Sequence, residues 1–176
     1  MSDNVFIAYI LGIGDTLTGK TTVFARYINQ KFIQSYVETL GADFSMNDIV
    51  IDGFKINYRI WDLSGKKKFE KIRKSYYKGA RGSILFFDLT QKETLDNIPN
   101  WYNETIFEEP DQFTVLVGTK KDLSTRRQVT KEEAETLSKQ LNCKFYTEVS
   151  ALTGEGVNEL FMKISKLLQA VFDDSK

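Results

Sequence analysis

Val5-Phe6-Ile7-Ala8-Tyr9-Ile10-Leu11-Gly12-Ile13 runs directly into Gly14-Asp15-Thr16-Leu17-Thr18-Gly19-Lys20-Thr21, and the second stretch has the form G-x-x-x-x-G-K-[ST]. The first is nearly unbroken in apolar, β-branched and aromatic side chains, so it reads as a strand buried on both faces, as central strands of a parallel sheet are. Beyond the loop, Val23, Phe24, Tyr27 and Ile28 recur at helical spacing, giving strand, glycine-bounded loop, helix. A loop so placed turns successive backbone N–H groups and a helix N-terminus toward one point, which suits a polyphosphate. Lys20 adds a full positive charge near the β and γ phosphates, and the Thr21 hydroxyl can coordinate Mg2+.

Working outward, residues 54–62 alternate, with Phe54, Ile56, Tyr58 and Ile60 on one side and Lys55, Asn57 and Arg59 on the other. Asp52-Gly53 before them is a hairpin signal that pairs this strand antiparallel with residues 44–51. Short apolar runs at 83–87 and 113–117 alternate with helical patterns around 95–107 and 131–141, which implies a mostly parallel sheet covered by helices. Val157, Leu160, Phe161, Ile164, Leu167, Leu168 and Val171 form an apolar stripe on a last helix that docks on the sheet. Only residues 1–3 and 173–176 look disordered, and there is neither repeat nor linker.

Four further segments fall where such a fold gathers its chemistry. Asp62-Leu63-Ser64-Gly65 ends the alternating strand, where an aspartate can reach Mg2+ through water and a glycine amide can sense a γ-phosphate. Thr119-Lys120-Lys121-Asp122 follows one strand and Ser150-Ala151-Leu152 follows another over 144–149, both at carboxyl ends, where open α/β sheets bind ligands. Thr39 lies in an aperiodic stretch that can supply a second hydroxyl to Mg2+.

Composition bounds the rest. With 176 residues, 41% hydrophobic and 27% charged, the chain is long enough for one packed domain, 1–176, and is neither disordered nor low-complexity. The balance of 24 Lys+Arg against 24 Asp+Glu argues against a globally basic nucleic-acid binder. A single cysteine, Cys143, and the lack of a charged-then-apolar leader point to the cytoplasm. No apolar run approaches the roughly 18 residues needed to cross a bilayer. Charge is nonetheless uneven: residues 66–81 carry eight basic side chains against Glu70 alone, a local net of +7.

Order and spacing of these motifs resemble the Ras-like small GTPases, the Rab branch in particular, over essentially the whole chain. Thr39-Leu40-Gly41-Ala42-Asp43-Phe44 is similar to the Rab effector loop, Ile60-Trp61-Asp62 to the entry of switch II, and Tyr76-Tyr77-Lys78-Gly79-Ala80-Arg81-Gly82 to the segment after it. Thr153-Gly154-Glu155-Gly156-Val157-Asn158-Glu159-Leu160-Phe161 resembles the usual entry to the last helix. The resemblance implies a P-loop NTPase fold: six strands, mostly parallel with one antiparallel edge strand, flanked by five helices. It implies switch I at about 32–43 and switch II at about 62–78, GTP/GDP and Mg2+ as cofactors, and a role in vesicle trafficking. Gly14, Leu17, Thr18, Gly19, Lys20, Thr21 and Thr22 would hold the phosphates; Thr21, Thr39 and Asp62 the metal. Lys20, Thr39, Gly65 and Lys66 would stand at the reacting γ-phosphate. Asp122 would take paired hydrogen bonds from guanine, Lys120 and Thr119 would flank the base, Phe32 would stack near its edge, and Ser150, Ala151 and Leu152 would close its far side, with the Ala151 amide donating to the guanine carbonyl.

Four departures carry expectations. Lys66 stands where the family usually has a water-orienting glutamine, and an ammonium offers donors but no acceptor, so unaided hydrolysis is expected to be slow. Leu17 replaces a glycine, so strain of roughly 1 to 3 kcal/mol follows if that position needs positive φ, and none if it does not. Thr119 replaces asparagine and Leu152 replaces lysine, but Asp122 is kept. No cysteine lies near the end and no glycine follows Met1, so no lipid anchor is expected. The basic run leaves contact with an anionic membrane, or with acidic side chains such as those of segment 93–111, open beside a merely solvated face. Effectors, exchange factors and activating proteins would meet a monomer through the two switches. The competing readings are a GTP-loaded scaffold that does not hydrolyse and a small P-loop kinase, the latter disfavoured because six arginines are too few and too scattered for a lid.

Overall fold

The computed structural model describes residues 5–32, 39–51 and 53–173. Among the described residues six strands form one sheet in the order β2-β3-β1-β4-β5-β6. They are β1 (Val5–Gly14), β2 (Ala42–Ile51), β3 (Phe54–Leu63), β4 (Gly82–Asp88), β5 (Phe113–Thr119) and β6 (Tyr146–Glu148). β2 runs antiparallel to β3 at the edge, and every other pairing is parallel. Helices α1 (Lys20–Asn29), α2 (Glu70–Lys74), α3 (Lys92–Asp96), α4 (Ile98–Glu108), α5 (Lys131–Gln140) and α6 (Val157–Asp173) complete it. Asn97 keeps helical dihedrals between α3 and α4, so these two run on as one interrupted helix, and among the described residues five helices flank the sheet.

Alternation along the strands divides the core in two. Ala8, Ile10, Ile56, Tyr58, Ile60 and Phe86 face α1 and α6, where Val23, Phe24, Leu160, Phe161 and Ile164 pack on them. Leu11, Ile13, Leu63, Leu85, Phe87 and Leu116 face the other way, toward Leu95, Ile98, Trp101 and Ala134. Each fully buried Phe or Leu contributes about 1.5 to 3 kcal/mol. Chain order reverses between β1 and β4, which flank each other while their connections leave in opposite directions. The crevice at their carboxyl ends is therefore where an open α/β sheet holds its ligand.

Two expectations change. β1 is buried on both faces only in its second half: Val5 and Ile7 are each 50% exposed, because β4 pairs with β1 only from Ile10 onward, while the opposite face stays covered, Phe6 stacking on Phe172 of α6. An apolar sequence reports strand type but not where the neighbour begins. The basic run is also divided. Arg73 turns inward to Glu104 of α4 and the half-exposed Lys74 reaches Glu108 at 4.0 Å, so part of the acidic segment 93–111 is engaged within the chain. Of the expected hairpin turn, Asp52 lies outside the described residues, and so do residues 33–38 of the expected switch I and residues 1–3 and 174–176 of the expected tails. Among the described residues no helix is long and apolar enough to cross a membrane.

Candidate nucleotide site

Gly14 leaves β1 with φ +146, and a Cβ there would lie 2.2 Å from the Phe86 carbonyl oxygen, so only glycine permits this exit beside β4. Leu17 has φ +65, which answers the question its sequence position raised: a 58% exposed leucine adopts the left-handed conformation. Gly19, at φ +90, then starts α1, whose first amides are left for a ligand. Lys20 is buried, and its Nζ donates to the Gly14 carbonyl at 2.9 Å and the Asp15 carbonyl at 2.7 Å. Burial pushes its ammonium down to about 8, opposed by the Asp62 and Asp15 carboxylates.

Below Lys20 three oxygen side chains meet. Thr21 Oγ1 lies 3.1 Å from Thr39 Oγ1 and donates to Asp62 Oδ2, which also accepts from Thr39 at 3.3 Å. Burial pushes the Asp62 carboxyl up, and its Oδ1 is buried with no hydrogen-bond partner among the described residues. A buried carboxylate oxygen left without a partner is destabilising, and a hard divalent cation would relieve it. Two hydroxyls and one carboxylate fit Mg2+, which favours oxygen ligands and few protein groups. Among the described residues no cluster of three or more Asp, Glu, His or Cys could hold a metal alone, so remaining positions would fall to phosphate oxygens or water.

Thr16, Leu17, Gly19, Lys20, Thr21, Thr22, Thr39, Ser64, Gly65, Gln91 and Lys120 line one cleft of ≈ 340 Å³. Gly65 crosses its phosphate end so closely that a Cβ would lie 2.5 Å from both the Gly14 carbonyl oxygen and the Thr16 nitrogen. At the opposite end Lys120, with φ +61, pairs with buried Asp88 at 2.5 Å. Ser150 Oγ donates to Asp122 Oδ1 at 2.6 Å. Thr119 Oγ1, buried, lies 2.5 Å from the Thr18 carbonyl and 3.0 Å from that of Phe87, with one proton to share, so it ties the first loop to β4 and β5.

Most sequence-derived candidates therefore converge. Phe32 is exposed and packs in no core, and Leu152 is also exposed. Thr18 is fully buried as a brace, donating to the Asp15 carbonyl at 2.9 Å. Sequence reasoning passed over Asp15, whose carboxylate accepts from Asn97 at 2.9 Å and Trp101 at 2.8 Å, as well as Asp88 and Arg73. Asp88, at the carboxyl end of a fully apolar run, carried a signal; Asp15 and Arg73 looked like ordinary surface residues.

The model of the Ras family matches residues 9–170. The chain is 37% identical to Ras-related protein SEC4 of Saccharomyces cerevisiae, over 97% of this chain and 79% of that protein. It is 34% identical to Ras-related protein Rab-4 of Dictyostelium discoideum, over 100% and 86%. Ras-related protein Rab-15 of Homo sapiens is 33% identical, over 90% and 75%.

Proposed function

The chain belongs to the Ras family, on its Rab branch, whose members bind GTP or GDP with Mg2+ and hydrolyse GTP, and from that premise we propose that it is a slow, GTP-gated conformational switch. The observation that carries this reading is the convergence of Thr21, Thr39 and Asp62 beside buried Lys20, with Gly65 laid across the same loop. Thr39 and Gly65 belong to the two segments we assign as switch I (about 32–43) and switch II (about 62–78), within one G domain over 1–176. A terminal phosphate would bind both, and its loss would release both.

In that reaction water attacks the γ-phosphorus in line, the bond from that phosphorus to the β–γ bridging oxygen breaks, and GDP and phosphate leave. The loop amides from Gly14, Leu17 and Thr18 through Thr22, with Lys20, stabilise charge on the phosphates. Thr21, Thr39 and Asp62 would hold Mg2+, which would supply further charge neutralisation. The Gly65 amide would bind the γ-phosphate. Lys66 follows it with no acceptor to orient the water, which favours slow unaided turnover and supports a second reading, a GTP-loaded scaffold that waits for an activating protein. Asp122, Lys120, Thr119, Ser150, Ala151 and Leu152 would select guanine, with Phe32 at its edge.

Effectors, exchange factors and activating proteins would engage a monomer through the two switches, in a cytoplasmic, peripherally membrane-associated trafficking role. Extracting and identifying the nucleotide carried by the purified protein, then following its conversion over hours with Mg2+, tests the reading. Bound GTP or GDP and a preference over ATP are expected. A chain that comes up empty and takes guanosine and adenosine phosphates equally would end it.

A further inference from the structure

One cation of the basic run is not on the surface. Arg73 is 2% exposed, and a guanidinium so enclosed is retained only when its donors are matched. Its Nη1 donates to the Ser64 carbonyl at 3.0 Å and to the Lys66 carbonyl at 2.8 Å. On its other edge Nε and Nη2 donate to the two oxygens of Glu104 at 3.2 and 3.3 Å. The Tyr77 hydroxyl donates to the same carboxylate at 2.5 Å, and the guanidinium lies 4.7 Å over the Trp101 ring. Trp101 in turn donates to Asp15 of the phosphate loop at 2.8 Å. A continuous set of contacts thus runs from that loop, through α4 and Arg73, to the two carbonyls on either side of Gly65.

We propose that Arg73 is a positioning residue for recognition of the terminal phosphate: by gripping the peptide on both sides of Gly65 and anchoring it to Glu104, it fixes the direction in which the Gly65 amide points. The inference rests on the switch reading above, in which that amide meets the γ-phosphate. A loop already held in its binding conformation loses less entropy when the ligand arrives. GDP has no γ-phosphate for this amide, so the benefit falls on GTP alone. Lysine cannot replace arginine here, because one ammonium cannot bracket two carbonyls and chelate a carboxylate at once. Arg73 touches no reacting atom and acts through Gly65.

The test compares affinities of the full chain, with Mg2+, for GDP and for a non-hydrolysable GTP analogue, in the parent and in Arg73→Ala, Arg73→Lys and Glu104→Gln. The GTP-to-GDP affinity ratio should fall about tenfold in Arg73→Ala and about threefold in the other two, with GDP affinity within about twofold of the parent. Retained GDP affinity reports an intact fold, and Glu104→Gln reads the same quantity should Arg73→Ala not fold. A ratio that stays at the parental value, or GTP and GDP affinities that fall in parallel, overturns the role given to Arg73 and leaves the switch reading standing. A parent that binds neither nucleotide removes both.

Discussion

At the base end of the cleft, Ser150 already holds Asp122 at 2.6 Å, Asp88 holds Lys120 at 2.5 Å, and Thr119 bridges two carbonyls before any ligand arrives. At the phosphate end, Lys20 is a buried cation pushed down to about 8, and Asp62 keeps an oxygen without a hydrogen-bond partner among the described residues. The side chains of the first region brace one another without the nucleotide; the buried charges of the second are relieved by it. That division suits a switch. Base recognition is the same for GTP and GDP, so nothing is lost by making it rigid, whereas the phosphate end must differ in free energy between the two ligands. Buried charge awaiting a counter-charge is what makes that end responsive.

Attacking the finished end should give the largest effect. Asp122→Asn puts an amide donor where guanine presents donors, and GTP affinity should fall on the order of a thousandfold, with preference over ATP lost, in a direct titration. A loss confined to a few-fold would mean that Asp122 serves Ser150 and not a base. At the unfinished end, binding polyphosphate must restore Lys20 to its charged form. Its pKa in the empty protein, about 8, therefore rises on binding, and above that pH binding takes up a proton. Affinity for GDP, measured in chelator so that metal does not contribute, should weaken with rising pH by up to about tenfold per unit above 8, and be insensitive to this group below it. Calorimetry in buffers of different ionisation enthalpy would detect the proton; a flat profile from 8 to 10 means that Lys20 is not depressed.

How far the sequence carried follows from the same contrast. The phosphate loop was legible because local signals agree: an apolar strand stops at Gly14, a helix starts after Gly19, and Lys20-Thr21 closes the pattern. The antiparallel edge and the docked last helix were legible by periodicity. Contacts between distant residues were not. Asp15 meets Trp101 across 86 positions and Arg73 meets Glu104 across 31, and nothing local distinguishes those residues from solvated ones. The exposed start of β1 escaped for a related reason, since coverage depends on where β4 begins and not on the composition of β1.

Lys66→Gln probes whether the phosphate end is unfinished in its chemistry as well as in its electrostatics. Glutamine supplies both a donor and an acceptor to the attacking water, and single-turnover hydrolysis should quicken roughly tenfold. Since the backbone carbonyl at 66 is already held by Arg73 at 2.8 Å, the new side chain would start from an ordered peptide. An unchanged rate would place the slow step elsewhere in the loop.

The smallest expected effect is the most local. Leu17 carries a left-handed conformation that disfavours any residue with a Cβ by about 1 to 2 kcal/mol, and its exposed side chain recovers little of that by packing. Glycine removes the steric penalty but enlarges the freedom of the unfolded and unliganded loop, which returns up to about 1 kcal/mol of the gain. The two nearly cancel in global stability, so Leu17→Gly should leave the melting temperature of the empty protein almost unmoved. Binding is different, because the loop must close its amides around the phosphates and the strained residue lies in the middle of that closure. Affinity for GTP and GDP should therefore rise together, by about fivefold, the equivalent of 1 kcal/mol. A rise in one and not the other would mean that Leu17 reports on the γ-phosphate, and the line drawn between a shared base end and a discriminating phosphate end would have to pass through the loop itself.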